Sequence, residues 1–217
     1  WRWSSFLKYL IAKLAKYDCS KYNIPSEYEY RKSTFGSKKN KQNVTLFTWG
    51  AVHPRINLAR AVCIDSPNYS VLNFLIIPNQ IYNIPFFGLD FVSLPSKHLL
   101  VLDFQPSLHI EKQFDMNLLK RVVRLKNQFH EKIPTAEELP IELSKFFSPG
   151  MIWSKLPKDK YSEKIISTKL FTSFQSYLDL YLEALSKSRI VETELKKEII
   201  IGQTTYLNFR KENDPAR

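Results

Sequence analysis

The chain has 217 residues, a length that fits one domain, and its 44% apolar and 14% aromatic content can fill a full core, which excludes a disordered polymer. With 32 Lys+Arg against 21 Asp+Glu the formal charge is +11, so the expected partners are anionic: a nucleic acid, a membrane surface, an acidic protein or an acidic small molecule. Two isolated cysteines, Cys19 and Cys63, exclude a disulfide framework and suit a reducing compartment.

Starting at Trp1 rather than Met and stopping at Arg217, the sequence reads as trimmed at both ends. Ser4 is expected to cap a helix running to about Tyr17, with Phe6, Leu7, Leu10, Ile11 and Leu14 on one face. Its recurring lysines make it a poor signal peptide and suit a docked surface helix. Lys-rich Arg31–Gln42 reads as a loop. Short strand signals follow at 43–49, 58–64, 70–77, 86–94 and 98–104, too closely spaced for helical crossovers, so the neighbours are expected to be antiparallel. The second half turns helical, with helices expected at 111–130, 137–147, 170–188 and 192–211, punctuated by Pro134, Pro140, Pro149 and Pro157. Strands first and helices later predict one antiparallel sheet covered by helices. No apolar stretch is long enough for a membrane span.

Several chemistries lack their residues. The five glycines form neither a dinucleotide fingerprint nor a phosphate loop, and the four histidines form no zinc-binding pattern. No nucleophile elbow is present, and no strand interleaves basic and aromatic residues as RNA-binding sheets do, so nucleic acid is not the expected partner.

Three polar residues stand in apolar strands. Asp90 interrupts Phe86-Phe87-Gly88-Leu89-Asp90-Phe91-Val92 and shares a face with Gly88, where a flat ligand could approach. A buried carboxyl tends to hold its proton, so Asp90 is a candidate proton donor; a buried Asp satisfied by backbone or Arg bonds is the other reading. Asn73, within Val71–Ile76, is a candidate ligand contact or a cross-strand hydrogen bonder. Asp103, ahead of Phe104-Gln105-Pro106, reads as a strand-end turn residue, and Asp214, ahead of Pro215, as a helix-terminal one.

These residues also carry a resemblance. Pro85-Phe86-Phe87-Gly88-Leu89-Asp90-Phe91-Val92, the strand Leu99-Leu100-Val101-Leu102-Asp103-Phe104-Gln105-Pro106, the segment Phe147-Ser148-Pro149 and the terminal Asp214-Pro215-Ala216-Arg217 are together similar to the motifs of the ferredoxin-dependent bilin reductases, in order from about residue 43 to 217. The resemblance implies a three-layer α/β/α sandwich in a single domain spanning 1–217, with a linear tetrapyrrole held between sheet and C-terminal helices. It implies no bound metal or flavin: electrons arrive singly from a reduced 2Fe–2S ferredoxin, an acidic protein suited to a basic partner. Asp90 and Asp214 fall on the family's two acidic proton donors. Asn73 stands where the phycocyanobilin-forming branch has His, and the wording around Ile84–Pro95 looks most like the branch that reduces 15,16-dihydrobiliverdin to phycoerythrobilin. Trp153, Lys155 and Arg217 are the further expected substrate contacts, the two cations facing the propionates. A preceding bilin reductase that hands over its product is an expected partner, and the cytoplasm of a cyanobacterium, or an algal plastid stroma, the expected location. Rival readings are a reductase acting on biliverdin, a non-catalytic bilin carrier and a basic nucleic-acid-binding module.

Overall fold

Alternating apolar residues can bury one side of a strand, and the central strands of an eight-stranded sheet follow that rule here. In the computed structural model, residues 1–36, 41–130, 133 and 144–213 are described. The elements in chain order are α1 (Ser4–Lys16), β1 (Ser20–Lys21), α2 (Ser26–Glu29), β2 (Tyr30–Phe35), β3 (Gln42–His53), β4 (Ile56–Asp65), β5 (Ser70–Pro78), β6 (Phe86–Ser93), β7 (Lys97–Gln105), α3 (Ile110–Gln113), α4 (Met116–His130), β8 (Ile152–Pro157), α5 (Lys160–Ile165), α6 (Phe171–Lys187) and α7 (Thr193–Asn213). The sheet order is β1-β3-β4-β5-β6-β7-β8, with β2 also paired to β3. Every one of these pairings is antiparallel.

The register fixes which side chains share a face. Leu72, Phe91 and Leu100 are cross-strand partners, as are Phe74, Leu89 and Leu102. These rows are fully buried in the main core, sealed by Trp3 at the start of α1, Phe6 and Leu10 of α1, Val122 of α4 and Phe174, Tyr177 and Tyr181 of α6. Trp3 anchors α1 by donating its indole N–H to the Ser70 carbonyl at 2.9 Å. Among the described residues, the opposite face is covered at one end. There Leu75 and Phe86 pack under Phe146 and Tyr206, so α7 and the turn before β8 form the third layer of the expected sandwich.

Several expectations need correction. Ser4 is the first helical residue of α1 and the cap position is Trp3, which makes no side-chain cap bond. Half of the expected loop is β2, a fully exposed strand that lacks the alternation by which strands are recognised. The helix expected from 111 is broken at Phe114 and Asp115, because the Asp115 carboxylate accepts from Leu118 N at 2.7 Å and starts α4 afresh. The helix expected from 170 begins at Lys160, capped by Asp159, and reaches α6 through a π-helical turn, Ile166–Leu170. β8 was not expected. Most of the helix expected at 137–147 lies outside the described residues.

Candidate active site

The half-covered face carries the polar strand residues. Asn73 and Asp90 are direct cross-strand partners, Asp90 continues to Val101, and Val101 to Trp153. On the other side Asn73 partners Val62. This row crosses β4, β5, β6, β7 and β8, about 19 Å at the usual interstrand spacing. The next row, Val71, Val92, Leu99 and Lys155, runs beside it. Apart from Lys155, which is exposed, all of these residues are half-buried, in contrast to the sealed face. The result is a broad, mainly apolar platform with one amide and one carboxyl at its centre, suited to a flat multi-ring ligand with a few polar atoms. A concavity of about 740 Å³ elsewhere is lined by α4 residues such as Lys120, Val123 and Arg124 and contains none of these groups.

The other end of the platform is walled. Tyr206 stacks on Phe86 with ring centroids 4.4 Å apart, and its hydroxyl donates to Gln105 Oε1. Arg210 Nη1 donates to the same hydroxyl at 3.3 Å. The Gln105 amide lies over Gly88, where a Cβ would meet Oε1 at 2.1 Å, so glycine at 88 makes the room for it. Burial pushes the Tyr206 hydroxyl up to about 12; Arg210 opposes this, while the negative charges of Asp103 and Asp90 add to it.

Asp103 is the clearest departure from the sequence reading. It is a residue of β7 rather than a turn, opposite Gly88, and it shares the Asp90 face. The strand continues to Gln105 because Gln105 still pairs with Phe86. Asp103 is fully buried, and both its oxygens accept from Ser148: Oδ2 from the backbone N–H at 2.7 Å and Oδ1 from the hydroxyl. Burial pushes its carboxyl up to about 7 against the opposing pull of those bonds.

Of the residues singled out by sequence, Asn73, Asp90 and Trp153 therefore share one row, and Lys155 is the exposed end of the row beside it. Asp214 and Arg217 lie outside the described residues, which end at Asn213 of α7. Sequence reasoning missed Ser148, Gln105, Tyr206 and Arg210. Both Gln105 and Ser148 sit inside segments that carried the family resemblance, but their partners depend on the packing of α7 and the pre-β8 turn. Among the described residues, no group of three or more His, Cys, Asp or Glu could hold a metal ion, and no helix is long and apolar enough to cross a membrane.

Known proteins supply the context for this geometry. Residues 7–217 match the model of a family described as ferredoxin-dependent bilin reductase. A phycoerythrobilin:ferredoxin oxidoreductase of Prochlorococcus marinus strain MIT 9301 is 62% identical over 218 residues, covering 100% of this chain and 86% of the relative. The protein of the same name from strain MIT 9211 is 39% identical, with 100% and 85% covered. The crystal structure of tomato phytochromobilin synthase in complex with biliverdin superimposes with a TM-score of 0.78 at 22% identity, covering 98% of this chain and 74% of that one, and so shares the fold. Motif order, sheet and full-length similarity agree that this chain belongs to the ferredoxin-dependent bilin reductases, oxidoreductases that act on linear tetrapyrroles with electrons from ferredoxin.

Proposed function

We propose that this enzyme reduces the A-ring diene system of 15,16-dihydrobiliverdin to give phycoerythrobilin. The observation that carries the reading is the Asn73–Asp90 pair at the centre of the half-open face: an acid faces the ligand platform, and the residue across from it is a neutral amide that does not titrate. The product in the name of the relatives at 56% to 62% identity supports the same reading.

The reaction adds two electrons and two protons to the substrate. Reduced ferredoxin supplies the electrons one at a time, and the chain supplies the protons. Asp90 donates from the sheet side. Asp214, which follows directly on α7, donates from the helix side; this role rests on its sequence motif. Two donors on opposite sides suit two protons delivered to separate atoms. Asn73 positions the pyrrole edge by hydrogen bonding, Trp153 covers the platform at the β8 edge, and Lys155 and Arg217 pair the propionates. The substrate is itself a partly reduced bilin, so an enzyme that reduces biliverdin must precede this one, and direct transfer from it protects a reactive pigment. The relatives are cyanobacterial, which favours the cytoplasm of such a cell as the setting.

The test is anaerobic turnover with reduced ferredoxin and either biliverdin or 15,16-dihydrobiliverdin, the products being separated and identified by absorbance. Phycoerythrobilin from the dihydro substrate, with biliverdin left unchanged, is expected. Reduction of biliverdin at the 15,16 bond, or through both steps, would replace the proposal with one of the neighbouring activities.

A further inference from the structure

We propose that Asp103 is a positioning residue for catalysis: through Ser148 it fixes the turn against which the last helix closes over the Asp90 face. The inference rests on the reading of that face as the bilin site. Asp103 projects onto the platform side from β7, one row along from Asp90, yet both its oxygens are committed to Ser148. The Ser148 hydroxyl in turn accepts from Gly150 N at 3.0 Å, and Met151 N donates to the Ser148 carbonyl at 3.1 Å, so one carboxyl organises the whole turn. Two further bonds hold its outer side: Tyr177 donates its hydroxyl to Gly150 O at 2.6 Å, and Lys126 Nζ donates to Pro149 O at 3.1 Å. Gly150 is pressed so closely on α4 that a Cβ would stand 2.2 Å from Val122 Cγ1.

The turn carries Phe146, and Phe146 is what α7 rests on. Its ring stacks on Phe209 at 4.3 Å and meets Tyr206 edge-on at 5.5 Å. Tyr206 walls the platform, and four residues beyond Phe209 the helix reaches Asn213, directly before Asp214. A shift of the turn therefore moves the wall of the platform and α7 together. Misplacement of about 1 Å costs on the order of a hundredfold in rate when reacting groups must meet.

Asp103 also makes this support sensitive to pH. The groups facing it are Ser148, the backbone of Phe104, Lys126 from α4, Tyr177 from α6 and Tyr206 from α7, with Asp90 on the adjoining strand. The ionised carboxylate can accept from both Ser148 donors at once. With its pKa pushed up to about 7 by burial, protonation near neutrality occupies one oxygen and removes one of the two anchors.

The test compares Asp103→Asn, Ser148→Ala and the double variant with wild type, reading kcat, KM, bilin affinity and the pH profile of kcat per folded molecule. Asp103→Asn should bind bilin as wild type does, with KM little changed and kcat lower by roughly ten- to a hundredfold. Its profile should lose the acidic limb that wild type shows near pH 7. Ser148→Ala should fall similarly, and the double variant no further, because the pair acts as a unit. Should Asp103→Asn fail to fold, Ser148→Ala alone carries the comparison. Wild-type kcat and an unmoved pH profile in these variants would overturn the proposal, as would effects that simply add. These variants can be assayed on whichever bilin the wild type reduces, so an error in the assigned substrate would show in the wild type and not here.

Discussion

A carboxyl on a central strand is out of place unless something exploits it, since burial disfavours its charge. Asp90 has Asn73 beside it on β5 and Val101 on β7, and the platform around it is apolar and only half covered. Asp90→Asn keeps the size and polarity while removing the acidic proton. The variant should bind 15,16-dihydrobiliverdin with nearly the wild-type spectrum but form product roughly a hundred- to ten-thousandfold more slowly. Because electrons can still arrive, a one-electron-reduced bilin should accumulate, visible as a new absorbance band and a radical signal in paramagnetic resonance. Wild-type turnover would make Asp90 a structural residue.

At the scale of elements, α7 decides how the platform is closed, and its placement turns on Gly202. An exposed helical glycine normally gains about 1 kcal/mol on conversion to alanine. Gly202 lies against the backbone instead: an added Cβ would stand 2.1 Å from the carbonyl oxygen of Ser107, which no side-chain rotation can relieve. Overpacking of this kind costs about 1–3 kcal/mol, so the clash outweighs the propensity. Gly202→Ala should lower the melting temperature and, by lifting α7 from Phe86, reduce turnover more than bilin binding. A raised melting temperature with full activity would contradict this. The same element shows where sequence reading stops. Alternation and Pro or Gly punctuation reveal β3 to β7, and β5 to β7 each bury one face completely. β2 stays hidden since all its residues are exposed, and β8, a six-residue edge strand next to prolines, offers little to detect. Asp103 looks like a turn residue beside Gln-Pro until Gln105 is seen to pair with Phe86. Parity within a strand is legible, so Asp90 and Gly88 could be assigned to one face; the register that sets Asn73 opposite Asp90 is a property of two strands and is not. Family motifs alone singled out Asp214 and Arg217.

For the whole molecule the governing quantity is the net charge of +11. Several exposed or half-exposed cations are already neutralised within the fold: Lys13 pairs with Asp179, Lys21 with Glu29, Lys112 with Glu198, and Arg121 with Glu183. Such exposed pairs add little stability, and they consume equal numbers of acids, so the excess of positive charge remains for partners. A ferredoxin that must dock, deliver one electron and leave twice per turnover gains from rapid encounter more than from tight binding, and long-range attraction provides it. The reach of that attraction is set by salt: the screening length shrinks from about 30 Å at 0.01 M to about 8 Å at 0.15 M. With ferredoxin well below saturation, turnover should therefore fall roughly tenfold or more between those limits. At saturating ferredoxin it should change little, because encounter no longer limits. Bilin propionates are anionic too, so bilin affinity must be measured by absorbance at each salt concentration and the pigment kept saturating. A subsaturating rate that stays flat across this range would mean that recognition of ferredoxin is carried by short-range contacts, and that the basic surplus serves some other purpose.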